Sequence, residues 1–120
     1  MKFFKRLFSK KKKENDSDFI YQTAVIKEFT APVAINKGEK LKIVVSGVFS
    51  DLGWKMEEAK ANLEGNEIIL EVIGKKKAGM MSAQSLKPYD AVIEVKGLNQ
   101  GDYVIQANKG TNRTLMLKVE

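Results

Sequence analysis

Cysteine and histidine are both absent from the 120 residues. Without cysteine there is no disulfide framework, which counts against a secreted, disulfide-stapled fold, and no cysteine to carry a bacterial lipoprotein anchor. Without either residue the chain lacks the usual general base near neutral pH, the thiolate nucleophile, and nearly all zinc and copper ligand sets. Ser46 and Ser50 have no histidine partner. Glu57 and Glu58, as neighbours on an extended strand, point to opposite faces and make no facing carboxylate pair. Gly47, Gly53 and Gly65 fall in separate turns and build no phosphate-cradling loop. The expectation is a protein that is not an enzyme and holds no metal and no cofactor. Proline is scarce too, at two residues, and no apolar run approaches the roughly 18 residues that a spanning helix needs.

What is present is enough apolar material for one folded body. Hydrophobic residues make up 43% of the chain, which with so little proline argues against disorder. One domain of this length buries its own core. The net charge of +6 is unevenly placed. Residues 1–18 carry seven Lys/Arg against three Asp/Glu, whereas residues 19–120 carry fourteen against twelve. The excess sits in an N-terminal segment, so the basic balance of the whole chain overstates any case for nucleic acid. The division expected is a flexible basic tail over 1–18 and a folded domain over 19–120.

In the tail, Phe3, Phe4, Leu7 and Phe8 fall on one helical face, with Lys2, Lys5, Arg6 and the run Lys10, Lys11, Lys12, Lys13 on the rest. Glu14 to Asp18 is a polar linker. Such a segment fits a short amphipathic element lying on an anionic membrane surface, its apolar side chains inserted and its cations at the head groups. A secretory signal fits poorly, because Lys5 and Arg6 interrupt a short apolar run. The plainer readings are a disordered solubilising tail or a docking tail for an acidic protein. Two turns of isolated helix are marginal in water, so any helix here depends on a partner.

From Phe19 on, the pattern alternates with period two. Phe19 to Phe29 reads as a first strand, broken at Pro32, with Val33 to Ile35 a short continuation on the other sheet. Leu41, Ile43 and Val45 share a face of the next strand, where Gly47 marks a bulge or a close approach. Residues 55–63 are rich in helix formers, yet Ala59, Ala61 and Leu63 alternate with polar residues and run into the turn Gly65-Asn66. A strand is expected, with a helix of one or two turns as the alternative. Ile68, Leu70 and Val72 define the following strand. Gly74 to Tyr89 reads as the longest irregular part, and Asp90 to Lys96 as another strand.

The end of the chain is the most telling. Gly97 and Gly101 bracket a short turn, after which Tyr103, Ile105 and Ala107 share a face, and Leu115, Leu117 and Val119 close a terminal hairpin. Leu98-x-x-Gly101-x-Tyr103 resembles the tyrosine corner of immunoglobulin-like and fibronectin type III-like sandwiches. More narrowly, the stretch resembles the end of small prokaryotic Ig-like domains of unassigned function. The resemblance implies an all-β, antiparallel immunoglobulin-like sandwich of seven or eight strands, with the Tyr103 hydroxyl turned back to the upstream backbone. It implies no activity, because one sandwich serves many unrelated functions.

Three features in the folded part invite a partner. Trp54 either plugs one end of the sandwich or stands on an exposed loop as an interface anchor. Met80 and Met81 read as flexible contact surface rather than as a Cu(I) pair. Lys75, Lys76 and Lys77, with Lys87 and Lys55, gather as a solvated face or as a second anionic contact beside the tail. The function expected is a non-catalytic binding or accessory module, cytoplasmic, peripheral at the inner membrane face through its tail, with an unknown protein partner. The alternative is a loop-mediated protein-binding or inhibitor-type sandwich with no membrane role.

Overall fold

The computed structural model describes residues 18–79 and 82–120, and all regular structure among them is β. Nine strands follow one another: β1 Phe19–Thr23, β2 Val25–Thr30, β3 Ala34–Ile35, β4 Leu41–Phe49, β5 Lys55–Glu64, β6 Glu67–Lys77, β7 Lys87–Val95, β8 Gly101–Ala107 and β9 Thr114–Val119. They form two sheets around one core, a β-sandwich. The larger sheet is built on β6. Along one side of it lies β5; along the other, β8 covers Glu67–Leu70 and β1 covers Ile73–Lys77, end to end. Beyond β8 come β9 and then β3. The smaller sheet is β2, β4 and β7, with β4 central.

The alternation in sequence becomes the division between inside and outside. Leu41, Ile43 and Val45 on β4 are fully buried, while Lys42 and Val44 between them are exposed. On β6, Ile68, Leu70 and Val72 are fully buried against half-buried Ile69, Glu71 and Ile73. Ile26, Phe29, Ile93, Ile105, Leu117 and Val119 complete the interior. Full burial of each such side chain contributes about 1.5–3 kcal/mol. The helix formers of residues 55–63 are held extended, because β5 pairs along its whole length with β6 through the turn at Gly65-Asn66. Pairing and packing override a weak local propensity.

The first expected strand is two strands. The chain pairs with β6 as far as Thr23, then changes sheets at Ala24 and pairs with β4 from Val25. This change and the two-residue β3 bring the count to nine. Backbone groups freed at the change find partners individually. Ala24 N–H donates to Val72 O at 2.7 Å, and Ile26 N–H to Lys109 O at 2.9 Å. The Tyr89 hydroxyl donates to Val25 O at 2.8 Å. Burial pushes the Tyr89 hydroxyl up to about 12, so it remains a donor at any ordinary pH. Two glycines make the approach feasible. A Cβ on Gly47 would lie 1.9 Å from Val25 O and 2.7 Å from the Tyr89 hydroxyl. One on Gly110, whose φ is +119°, would lie 2.1 Å from Ile26 O.

Two further differences from the sequence reading have plain causes. The irregular stretch is shorter than Gly74–Tyr89, because β6 runs on through Lys77 between β1 and β5, and β7 begins at Lys87. Pairing is mostly antiparallel, but β8 runs parallel to β6 and β3 parallel to β9.

Gly47→Ala should destabilise the fold by about 2 kcal/mol or more, because backbone stands where the methyl would go. Tyr89→Phe, which removes only the hydroxyl, should cost about 1 kcal/mol. Urea unfolding midpoints of both variants against the parent check the order.

Candidate functional site

The end of the sandwich where β6 finishes gathers the charged residues. The loop from β4 to β5 places Asp51 there, 9% exposed. Its Oδ1 accepts hydrogen bonds from Gly53 N–H and from Ser82 Oγ, each at 2.8 Å, and its Oδ2 accepts one from Lys76 Nζ at 2.8 Å. The bond to Gly53, two residues on, is an Asx turn, which the sequence Asp51-Leu52-Gly53 favours. Lys76 reaches Asp51 because even-numbered residues of β6 face inward: Ile68, Leu70, Val72 and Gly74 are buried, and Lys76 continues that face at the rim. Lys76 Nζ also lies 5.7 Å from the centroid of the Trp54 ring.

Odd-numbered residues of β6 face outward, so Lys75 and Lys77 stand apart from Lys76. Register sets Lys55 of β5 directly opposite Lys75 on one side, and Tyr21 of β1 on the other; Phe19 is opposite Lys77. Lys75 Nζ lies 4.6 Å above the Phe19 ring and 3.4 Å from Glu57 Oε1. Phe19, Gly53, Lys55, Lys75, Lys76 and Lys77 line a hollow of about 380 Å³. A register shift between Met56 and Glu58 marks a bulge at Glu57. Ala59 and Ala61, beyond it, are half-buried on the inner side, whereas Lys55, of the same parity, is exposed. The bulge is what turns Lys55 outward to Lys75.

The sequence had singled out several of these positions. Lys75, Lys76 and Lys77 are not in a loop but end a strand, all three paired with β1 and Lys75 with β5 as well; the lysine run hid the alternation. Trp54 is a core residue, 6% exposed, and offers no exposed anchor, because the sandwich end closes over it. Its carbonyl accepts a hydrogen bond from Lys87 Nζ at 2.7 Å, which holds Lys87 there instead of in the hollow. Leu98 is buried, Gly101 has a φ of +148°, and the Tyr103 hydroxyl donates to Asn99 O at 2.8 Å. Met80, Met81 and the tail residues Lys2 to Lys13 lie outside the described residues. Ala78 N–H donates to Asp18 O, so residues 1–17 join the folded body at the lysine end. Sequence reasoning missed Asp51, Glu57 and Phe19. The Asp-x-Gly turn was a visible signal for Asp51; pairing of β1 with β6 was the information lacking for Phe19.

Among the described residues no three Asp, Glu, His or Cys side chains gather to hold a metal ion. None of the described segments is a helix long and apolar enough to cross a membrane, a statement that does not extend to spanning strands.

The hydrogen bond from Lys76, aided by those from Gly53 and Ser82 and opposed by burial, lowers the Asp51 carboxyl from 3.8 to about 2. A carboxyl lowered on folding stabilises above its unfolded value and loses that contribution as pH falls through its folded value. The stability gap between the parent and Asp51→Asn should therefore be full above pH 3.8 and close as pH falls towards about 2. Urea midpoints measured across that interval test it; a gap that does not change with pH would contradict the assignment.

Known proteins supply a context for this geometry. A family model described as the ORF11 beta-sandwich domain matches residues 43–117, more than half of the chain, from β4 to β9. The match takes in Asp51, Trp54, Lys55 and Lys75 to Lys77 and leaves out β1 and the tail. The chain is also similar to an uncharacterised 10.2 kDa protein in the HgiCIIM 5' region of Herpetosiphon aurantiacus. The two are 29% identical over 70 residues, which is 58% of this chain and 74% of that protein. No solved structure matches. Sequence match and two-sheet architecture agree, and this chain belongs to the ORF11 beta-sandwich domain family.

Proposed function

We propose that the protein is a non-catalytic accessory module that attaches peripherally to an anionic membrane surface, on the cytoplasmic side, and presents its sandwich to a protein partner. The observation that carries this reading is where the basic segment joins the fold. Phe19 opens β1 directly opposite Lys77, so the segment that carries Lys2 to Lys13 is attached at the end of the sandwich that holds the outward lysines of β5 and β6. Each basic residue near an anionic surface contributes on the order of 1 kcal/mol. A non-catalytic role is supported by Asp51, the one strongly shifted carboxylate among the described residues, whose hydrogen bonds from Lys76, Ser82 and Gly53 make it a structural tie. Burial of Trp54 removes the main support for the loop-mediated inhibitor reading.

We also read the sandwich as a variant of the immunoglobulin-like arrangement. The Tyr103–Asn99 hydrogen bond at the corner and the short β3 beside β9 support that reading, and the parallel β6–β8 pairing is where it departs.

The full-length protein should sediment with vesicles containing phosphatidylglycerol, and less so at high salt. A full-length variant with Phe3, Phe4, Leu7 and Phe8 changed to Ser should bind at least tenfold more weakly. Equal sedimentation of the two proteins would refute the attachment.

A further inference from the structure

We propose that the hollow at the lysine end of β6, lined by Phe19, Gly53, Lys55 and Lys75 to Lys77, is a binding site for a phosphomonoester dianion, held chiefly by Lys55 and Lys77. This goes beyond the surface reading and does not require residues 1–17.

The first argument is the cross-strand pair. Lys55 and Lys75 occupy directly opposed positions on one face, an arrangement that is destabilising when both side chains are cationic. Protection of an edge strand against aggregation explains a lysine on β5. It does not explain why that lysine sits opposite another. The second argument is the bulge at Glu57. Without the extra residue, Lys55 would share the inner face of Ala59 and Ala61. A bulge interrupts the ladder and commonly re-aims a side chain next to a site. Here the side chain it re-aims stands opposite Lys75, whose charge Glu57 already offsets, so Lys55 adds a further cation to that face.

The third argument is the charge left over. Lys76 is paired with Asp51 at 2.8 Å and Lys75 with Glu57 at 3.4 Å. Among the described residues no carboxylate lies within 4.0 Å of Lys55 or Lys77. Among the described residues, then, two ammonium groups with no carboxylate beside them line one hollow. A phosphomonoester, whose second pKa is about 6, carries close to two negative charges at neutral pH and three acceptor oxygens for them. The hollow, about 380 Å³, has the size of small-ligand sites. The Phe19 ring forms its wall and holds the Lys75 ammonium over its face, which keeps that cation at the mouth.

Trp54 is the one tryptophan, and its neighbour Gly53 lines the hollow, so intrinsic fluorescence reports on the site. Glycerol 3-phosphate titrated into the full-length protein at constant ionic strength should give a saturable change, confirmed by calorimetry. Lys55→Met with Lys77→Met should weaken binding about tenfold or more while leaving the unliganded melting temperature equal or higher. Lys42→Met, on the other sheet, should leave binding unchanged. Vesicles identify the source of the ester. A preference for phosphatidic acid over phosphatidylglycerol at equal surface charge, lost in the double variant, assigns the site to a lipid headgroup. Saturation by glycerol 3-phosphate with no such preference assigns it to a free ester. The variant with Phe3, Phe4, Leu7 and Phe8 changed to Ser should bind glycerol 3-phosphate as the parent does, so attachment can fail while this site stands. No saturable response to either ligand, or a response that the double variant keeps, overturns the proposal.

Discussion

Hydrogen bonding at Ala24 joins the two sheets. A strand that leaves one sheet for another in mid-run strips partners from several backbone groups at once, and buried groups of that kind must be satisfied individually. Ala24 finds Val72 on β6, Ile26 finds the loop at Lys109 and Thr111, and Val25 receives the Tyr89 hydroxyl from across β4. These bonds need close approach, and close approach needs glycine at 47 and 110. Sheet order, the placement of β1 beside Lys77, and the position at which the N-terminal segment meets the body all follow from this one exchange.

The charged end has its own internal logic, set by the pleat of β6. Successive lysines at 75, 76 and 77 go to alternate faces, so a run of three identical residues does two jobs. Lys76, inward, neutralises Asp51, whose other oxygen accepts from Ser82 and so ties the β4–β5 loop to the irregular stretch. Lys75 and Lys77, outward, share a surface with Lys55 and the aromatic rings of β1. A basic patch in sequence is therefore one structural ion pair plus a smaller exposed cluster.

Much of the sandwich could be read from residues alone. Period-two alternation around Leu41–Val45, Ile68–Val72 and Leu115–Val119 is unambiguous, and the spacing of Leu98, Gly101 and Tyr103 locates a corner whose hydroxyl does turn back to the chain. Ala59 and Ala61 were enough to prefer a strand over a helix. What sequence does not carry is the choice of neighbour. Both faces of residues 19–29 bear apolar side chains, so parity gave no hint that the chain changes sheets at Ala24. The lysine run lacks apolar markers, so the continuation of β6 was invisible until β1 and β5 were found on either side. Trp54 stood in a polar loop where a plug and an exposed anchor were both open; the closing of the sandwich end selects the plug. Asp51 needed Lys76, 25 positions away, to become more than a turn residue.

The registers also fix where the described chain enters and leaves. β1 starts beside Lys77, whereas β9 finishes beside Gly101, at the opposite extremity of β6. Tension applied between these two points would run along the strands and across the ladder bonds, which lie at right angles to antiparallel strands. The bonds joining β1 to β6, β6 to β8 and β8 to β9 would then be loaded together in shear rather than opened one at a time like a zipper, the geometry of a mechanically resistant link.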